Sequence, residues 1–152
     1  MFSIALLAIV SCSQDVTIVE DVDSTEPTEE TVKVIKNDII YDSYEILGRS
    51  IDAEFDGEHI WVAHYEDSKV SKLDIDGNVL KVVDVEGEPI KITYDGEFLW
   101  VAHFTEPIVS KLNTNGDIIG VYDTGESPGG IFRDGDEIWI ANGMSNFISK
   151  IS

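Results

Sequence analysis

From residue 31 onward, apolar and polar side chains alternate in short bursts separated by turn residues. PIKITY (89–94) alternates and ends at Asp95-Gly96, where EFLWVAH (97–103) begins, rich in the aromatic and β-branched residues that suit a pleated sheet. IVSKLN (108–113) follows, then Asn115-Gly116, then DIIGVYD (117–123). The pattern predicts four antiparallel strands joined by tight turns. Asp95-Gly96 is predicted to form a two-residue hairpin loop, since both residue types accept positive φ. Nowhere does the apolar pattern take a helical period.

The same pattern recurs every 39 residues. Repeat units span 31–69, 70–108 and 109–147, and a partial unit, ISKIS, occupies 148–152. Asp56-Gly57 returns as Asp95-Gly96 and Asp134-Gly135, Trp61 as Trp100 and Trp139, and Ser71-Lys72 as Ser110-Lys111 and Ser149-Lys150. Four short antiparallel strands per repeat predict an all-β fold made of β-propeller blades, with a solenoid of hairpins as the alternative. About three blades are present, fewer than a propeller ordinarily needs to close. The expected assembly is therefore a partial or oligomer-completed ring.

Upstream of residue 31 the composition changes the picture. Residues 2–11 form an apolar run ending Ile9-Val10-Ser11-Cys12, too short for a stable membrane span but suited to a signal-peptide core. It resembles a bacterial lipobox, which makes residues 1–12 a lipoprotein-type signal and Cys12 its lipidated residue. No Lys or Arg precedes the run, a departure from the usual signal pattern. Residues 13–30 carry seven acids and no Lys or Arg, and predict an acidic disordered tether. Cys12 is the one cysteine in the 152 residues, so no intrachain disulfide is available. The expected setting is extracytoplasmic, at the periplasm or cell surface, with the chain held to a membrane by its lipid.

The formal charge of −20 argues against a nucleic-acid partner, because phosphate backbones would be repelled. It fits a solvated surface and leaves a divalent cation possible, although no cofactor is predicted.

The recurring string DGxxLWVAH…VSKL…NG resembles the propeller repeats of virginiamycin B lyase and of the YncE-like (YVTN-repeat) proteins. The resemblance covers residues 31–152. It implies a β-propeller and an extracytoplasmic setting and, in the lyase branch, a metal-assisted ring-opening elimination. That branch pairs Glu and His two residues apart on a late blade. No Glu-x-His occurs here, and the strand ending Trp-Phe-Thr-Glu stands as Trp-Val-Ala-His, so no catalytic residue carries over.

Within the repeats, the tryptophans are expected in the core between blades. The Asp-Gly pairs are assigned to turns, and Lys72, Lys111 and Lys150 to solvated strand faces. The candidate ligand face lies where the second strand of each blade ends. His64, His103 and, in register, Asn142 close those strands, and the loops that follow vary from blade to blade: YEDS (65–68), FTEP (104–107) and GMSN (143–146). Variable loops on a rigid scaffold are where binding concentrates, which makes His64, Glu66, Asp67, His103, Glu106 and Asn142 the candidates. A histidine repeated with the blade is also expected to serve the blade itself, by bonding a neighbouring loop.

Two functions follow. One is a scaffold that binds a protein, glycan or small ligand. The other is a lyase or lactonase with a divalent metal over the channel, which needs carboxylates and histidines converging within a few ångströms. Cutting the repeats at 49–87, 88–126 and 127–152 leaves the third blade one strand short, and residues 38–47 align with a fourth strand. Two chains exchanging that segment would make a six-bladed homodimer.

Overall fold

The computed structural model describes residues 33–36 and 39–152. The lipobox with Cys12 and the tether at 13–30 lie outside the described residues. Two units are distinguished, residues 1–45 and 46–152. In the first, β1 (Lys33–Lys36) and β2 (Ile39–Asp42) form an antiparallel hairpin, Lys33 opposite Asp42 and Lys36 opposite Ile39.

The second unit is a succession of antiparallel sheets. The first blade is β3 (Ser50–Phe55), β4 (Ile60–His64), β5 (Lys69–Leu73) and β6 (Val79–Asp84). The second is β7 (Pro89–Tyr94), β8 (Phe98–His103), β9 (Ile108–Asn113) and β10 (Ile118–Asp123). The third is β11 (Pro128–Asp134), β12 (Glu137–Asn142) and β13 (Ile148–Ile151). Each blade runs in chain order, and none of the described residues is helical. This is the architecture of a partial β-propeller. The sheets follow the repeat cut that begins each blade at the turn before its first strand.

Strand alternation gives each sheet two faces, and successive blades pack one face on the next. Trp61, Ala63, Val70 and Val83 of the first blade meet Ile92, Leu99, Val101 and Leu112 of the second. One repeat later Trp100, Ala102 and Val109 meet Ile131, Ile138 and Ile140. A fully buried side chain of this size contributes about 1.5–3 kcal/mol, so these two seams supply much of the stability. Trp61 and Trp100 stand in the core as expected, at 0% and 4% exposed. Trp139 does not: it is half-buried, and Ala141 and Ile148 beside it are exposed. The face they share is the one that in the earlier blades is covered by the next sheet.

Polar groups reinforce the first seam. Asp52 on β3 reaches across to β7, taking Lys91 Nζ at 2.7 Å and the Ile92 backbone N–H at 2.8 Å. Lys72 crosses to the Thr114 carbonyl at 2.8 Å.

The turn chemistry differs from expectation. Asp56 and Asp95 do not occupy the loop positions with positive φ. Each closes the ladder, its N–H donating to the carbonyl of His59 or Phe98, and the two-residue loop begins with the glycine, Gly57 at φ 100° and Gly96 at φ 101°. A side chain at that φ is strained, which is why glycine follows the aspartate. The aspartate is thereby free to act as an acceptor.

Candidate functional site

Each second strand runs from the Asp-Gly turn to the histidine, so the blades have an Asp-Gly end and a histidine end. At the Asp-Gly end the aspartate organises its own hairpin. Asp56 accepts N–H bonds from Glu58 and His59 through Oδ1, and from the Trp61 indole through Oδ2 at 2.8 Å. Asp95 repeats the set with Glu97, Phe98 and Trp100, the indole at 2.6 Å. Partial burial raises these carboxyls, but the indole and backbone N–H groups outweigh it and hold both below the usual value. The third blade lacks the latch: Asp134 is exposed, and the buried Trp139 Nε1 has no partner.

Lys72 and Lys111 are half-buried rather than on open strand faces, whereas Lys150 is exposed as expected. They sit over the rings of Trp61 at 5.5 Å, Trp100 at 4.8 Å and Trp139 at 5.5 Å. The cross-strand register, Trp61 opposite Lys72, puts the lysine stem on the indole's own face. Grooves open between blades here. One of about 470 Å³ is lined by Asp95, Phe98, Trp100, Lys111 and Arg133, and its counterpart of about 310 Å³ by Asp56, His59, Lys72 and Tyr94.

At the histidine end, His64 and His103 are fully buried. His64 Nε2 bonds Ser71 Oγ at 2.8 Å, and His103 Nε2 bonds Ser110 Oγ at 2.8 Å. Both serines belong to the adjacent strand of the same blade, two residues along the hairpin. In the third blade Asn142 takes the place, its Nδ2 donating to Ser149 Oγ at 2.9 Å and to the Phe147 carbonyl at 3.2 Å. The Nδ1 atoms of both histidines and Asn142 Oδ1 are buried without a partner. Burial pushes both imidazoles down, His103 to about 4. For His64 the Asp67 carboxylate and the nearby Leu47 carbonyl pull partly back. Both rings are neutral at pH 7.

The remaining candidates lie outside, in the loops. Glu66, Asp67 and Glu106 are exposed, as are Phe104, Met144 and Phe147. The structure therefore divides the six candidates into a buried strand-end set, His64, His103 and Asn142, and an exposed loop set, Glu66, Asp67 and Glu106. Sequence reasoning missed the serine partners and the carboxylate–indole latch. The signal was present, because Ser71 and Asp56 repeat in step with His64 and Trp61.

The loops rest on close backbone approach. A Cβ on Gly48 would lie 1.4 Å from Asp67 Oδ2, and one on Gly87 2.8 Å from Glu106 Cγ. Among the described residues, no three His, Cys, Asp or Glu side chains converge as metal ligands.

Solved structures similar to this chain include β-propellers. Virginiamycin B lyase from Staphylococcus aureus superimposes with a TM-score of 0.65 at 17% identity, over 80% of this chain and 45% of that one. Kuenenia stuttgartiensis hydrazine synthase gives a TM-score of 0.57 at 28% identity, over 63% of this chain and 30% of the other. The WD40 propeller domain of Doa1 gives 0.53 at 15% identity, over 80% and 47%. This chain thus spans less than half the length of each, and the likeness to the lyase and to Doa1 is one of fold. No family model and no curated protein matches the sequence.

Proposed function

We propose that the chain is an extracytoplasmic, membrane-tethered propeller unit that binds a protein, glycan or small ligand through its histidine-end loops. The observation that carries the reading is the division of labour at that end. The side chains that repeat are spent inside the blades, each histidine Nε2 on a serine. The side chains that vary stand exposed, and among them are large apolar ones: Phe104 at 41%, Phe147 at 55% and Met144 at 73%. Exposed apolar groups beside charged ones on a rigid scaffold are the makings of an interface. The lyase reading requires free titratable groups converging on one point, which these buried histidines do not supply.

A photo-crosslinking residue at Phe104 or Met144 tests the reading, compared with one at Ile75, exposed at the opposite end. Adducts in the native cell from the first two sites and none from Ile75 are expected; equal labelling at all three would contradict it. For the tether, Cys12→Ser is expected to move the chain out of the membrane fraction, and unchanged fractionation would remove the lipid anchor. For assembly, the exposed apolar faces of the outermost blades, with Phe55 on one and Phe132 and Ile148 on the other, support a homodimer. Light scattering of the chain is expected to give twice its mass, and a soluble monomer would refute it.

A further inference from the structure

The histidine end of the third blade is stripped of side chains that both earlier blades carry. Glycine stands at 125 in place of Leu47 and Glu86, at 129 in place of Ile51 and Ile90, at 130 in place of Asp52 and Lys91, and at 143 in place of Tyr65 and Phe104. Asn142 replaces the larger His64 and His103. At the other end of the same blade Asp134-Gly135 and Trp139 keep their register. The trimming is confined to one end.

Backbone conformation does not call for these glycines. None of the four has a positive φ. The bulge between Pro128 and Gly130 has counterparts at Ser50/Asp52 and Pro89/Lys91 that are built without glycine. Gly129 has room for a side chain, since a Cβ there would meet the Ser127 carbonyl oxygen at 3.8 Å and Ile90 Cδ1 at 3.9 Å. At Gly125 a Cβ would lie 2.6 Å from Asn142 Cγ, so the asparagine amide rests directly on bare backbone. The surface is tied together in advance: the Gly143 N–H donates to the Ser127 carbonyl at 2.8 Å, and the Glu126 N–H to Ser145 Oγ at 2.9 Å.

Two polar groups are left over here. Asn142 is 5% exposed, and its Nδ2 is spent on Ser149 and on the Phe147 carbonyl, which fixes the orientation of the amide. Its Oδ1 is buried with no partner. The second group is the Ile131 N–H. Ile131 holds the same register against its second strand as Ile92, so its N–H turns to the unpaired edge of the sheet, where Ile92 donates to Asp52 at 2.8 Å. In the place of Asp52 stands Lys91, which offers no acceptor. A buried acceptor and an edge donor beside glycine backbone complement a peptide group, which brings one N–H and one C=O and can approach closely.

We infer that the histidine end of the third blade binds an extended peptide segment through its main chain. The inference rests on the binding reading of that end and names its partner as a polypeptide. Met144 and Phe147, exposed on the adjoining loop, offer apolar surface to the side chains of that segment.

The test is an NMR titration of the isotope-labelled full chain with capped tetra-alanine, with the same peptide N-methylated at every amide, and with maltotriose as a glycan probe. Saturable shifts at the Asn142 side-chain amide and at the Ile131 and Gly143 N–H groups are expected with tetra-alanine alone. Gly129→Ile, which restores the residue of the other two blades, should abolish them and leave the rest of the spectrum intact. Gly129→Ala should weaken them. No shifts with tetra-alanine, equal shifts with the methylated peptide or with maltotriose, or shifts that persist in Gly129→Ile would overturn the inference. Crosslinks at Phe104 would leave the broader binding reading standing.

Discussion

The second and third blades carry the same Asp-Gly…Trp sequence and reach different ends. In the second, Asp95 grips the Trp100 indole, Lys111 lies over the ring, and the next sheet seals the face. In the third, Lys150 still lies over Trp139, but the indole N–H has no partner, Asp134 faces solvent, and Ile148 is 62% exposed. A motif local in sequence is therefore completed only where a neighbouring sheet packs over it. The cation–ring contact needs the hairpin alone. The latch and the burial accompany the seam between blades. The packing of one blade on another is what turns a repeat into a fold.

The largest effect that sharpens the contrast is on the tryptophans. Trp100→Ala should cost on the order of 3–5 kcal/mol in urea unfolding, as large buried aromatics do, and Trp139→Ala well below that. Equal losses would mean that the third face is covered as the second is.

Next comes acid. His103 is held near 4 in the fold, against 6.5 for an ordinary imidazole, so the unfolded chain takes up its proton first as pH falls. Its contribution is fully present above about pH 6.5 and is lost on the way down to about 4, roughly 3 kcal/mol in all. Asn142, at the same place in the third blade, has no such dependence. His103→Asn should reduce the slope of the stability profile between those limits, His64 keeping a share of it, and a slope unchanged by the substitution would assign the loss to other groups. The depressed carboxyls of Asp56 and Asp95 act in the same sense at lower pH.

The smallest effect separates the aspartates. Asp95→Ala leaves an indole and two backbone N–H groups without their acceptor and should cost about 1–3 kcal/mol. Asp134→Ala should stay within about 0.5 kcal/mol, as surface changes do.

The strands, their order and the tryptophan seam were legible because alternation and a 39-residue period are written directly in the side chains. The partners of the repeated polar residues were not. Whether His64 meets Ser71 depends on hairpin register and on which face each occupies, a two-dimensional fact that a linear string does not carry. The turn was misread for a similar reason. Asp-Gly is a strong turn signal, but it does not say which of its residues lies inside the loop. The separate fate of Trp139 was not legible in the residues around it, because Asp134-Gly135 and Trp139 stand in the same register as in the other repeats and the packing over them differs.

The central claim is that the repeated polar residues are spent inside the blades, so that the histidine end binds through its loops. An NMR titration of the His103 imidazole tests it most directly. The account predicts a neutral ring, bonded through Nε2 to Ser110, that holds its proton state down to about pH 4. Titration near the ordinary 6.5 would show a solvent-reached histidine free to meet a ligand, and would contradict the account.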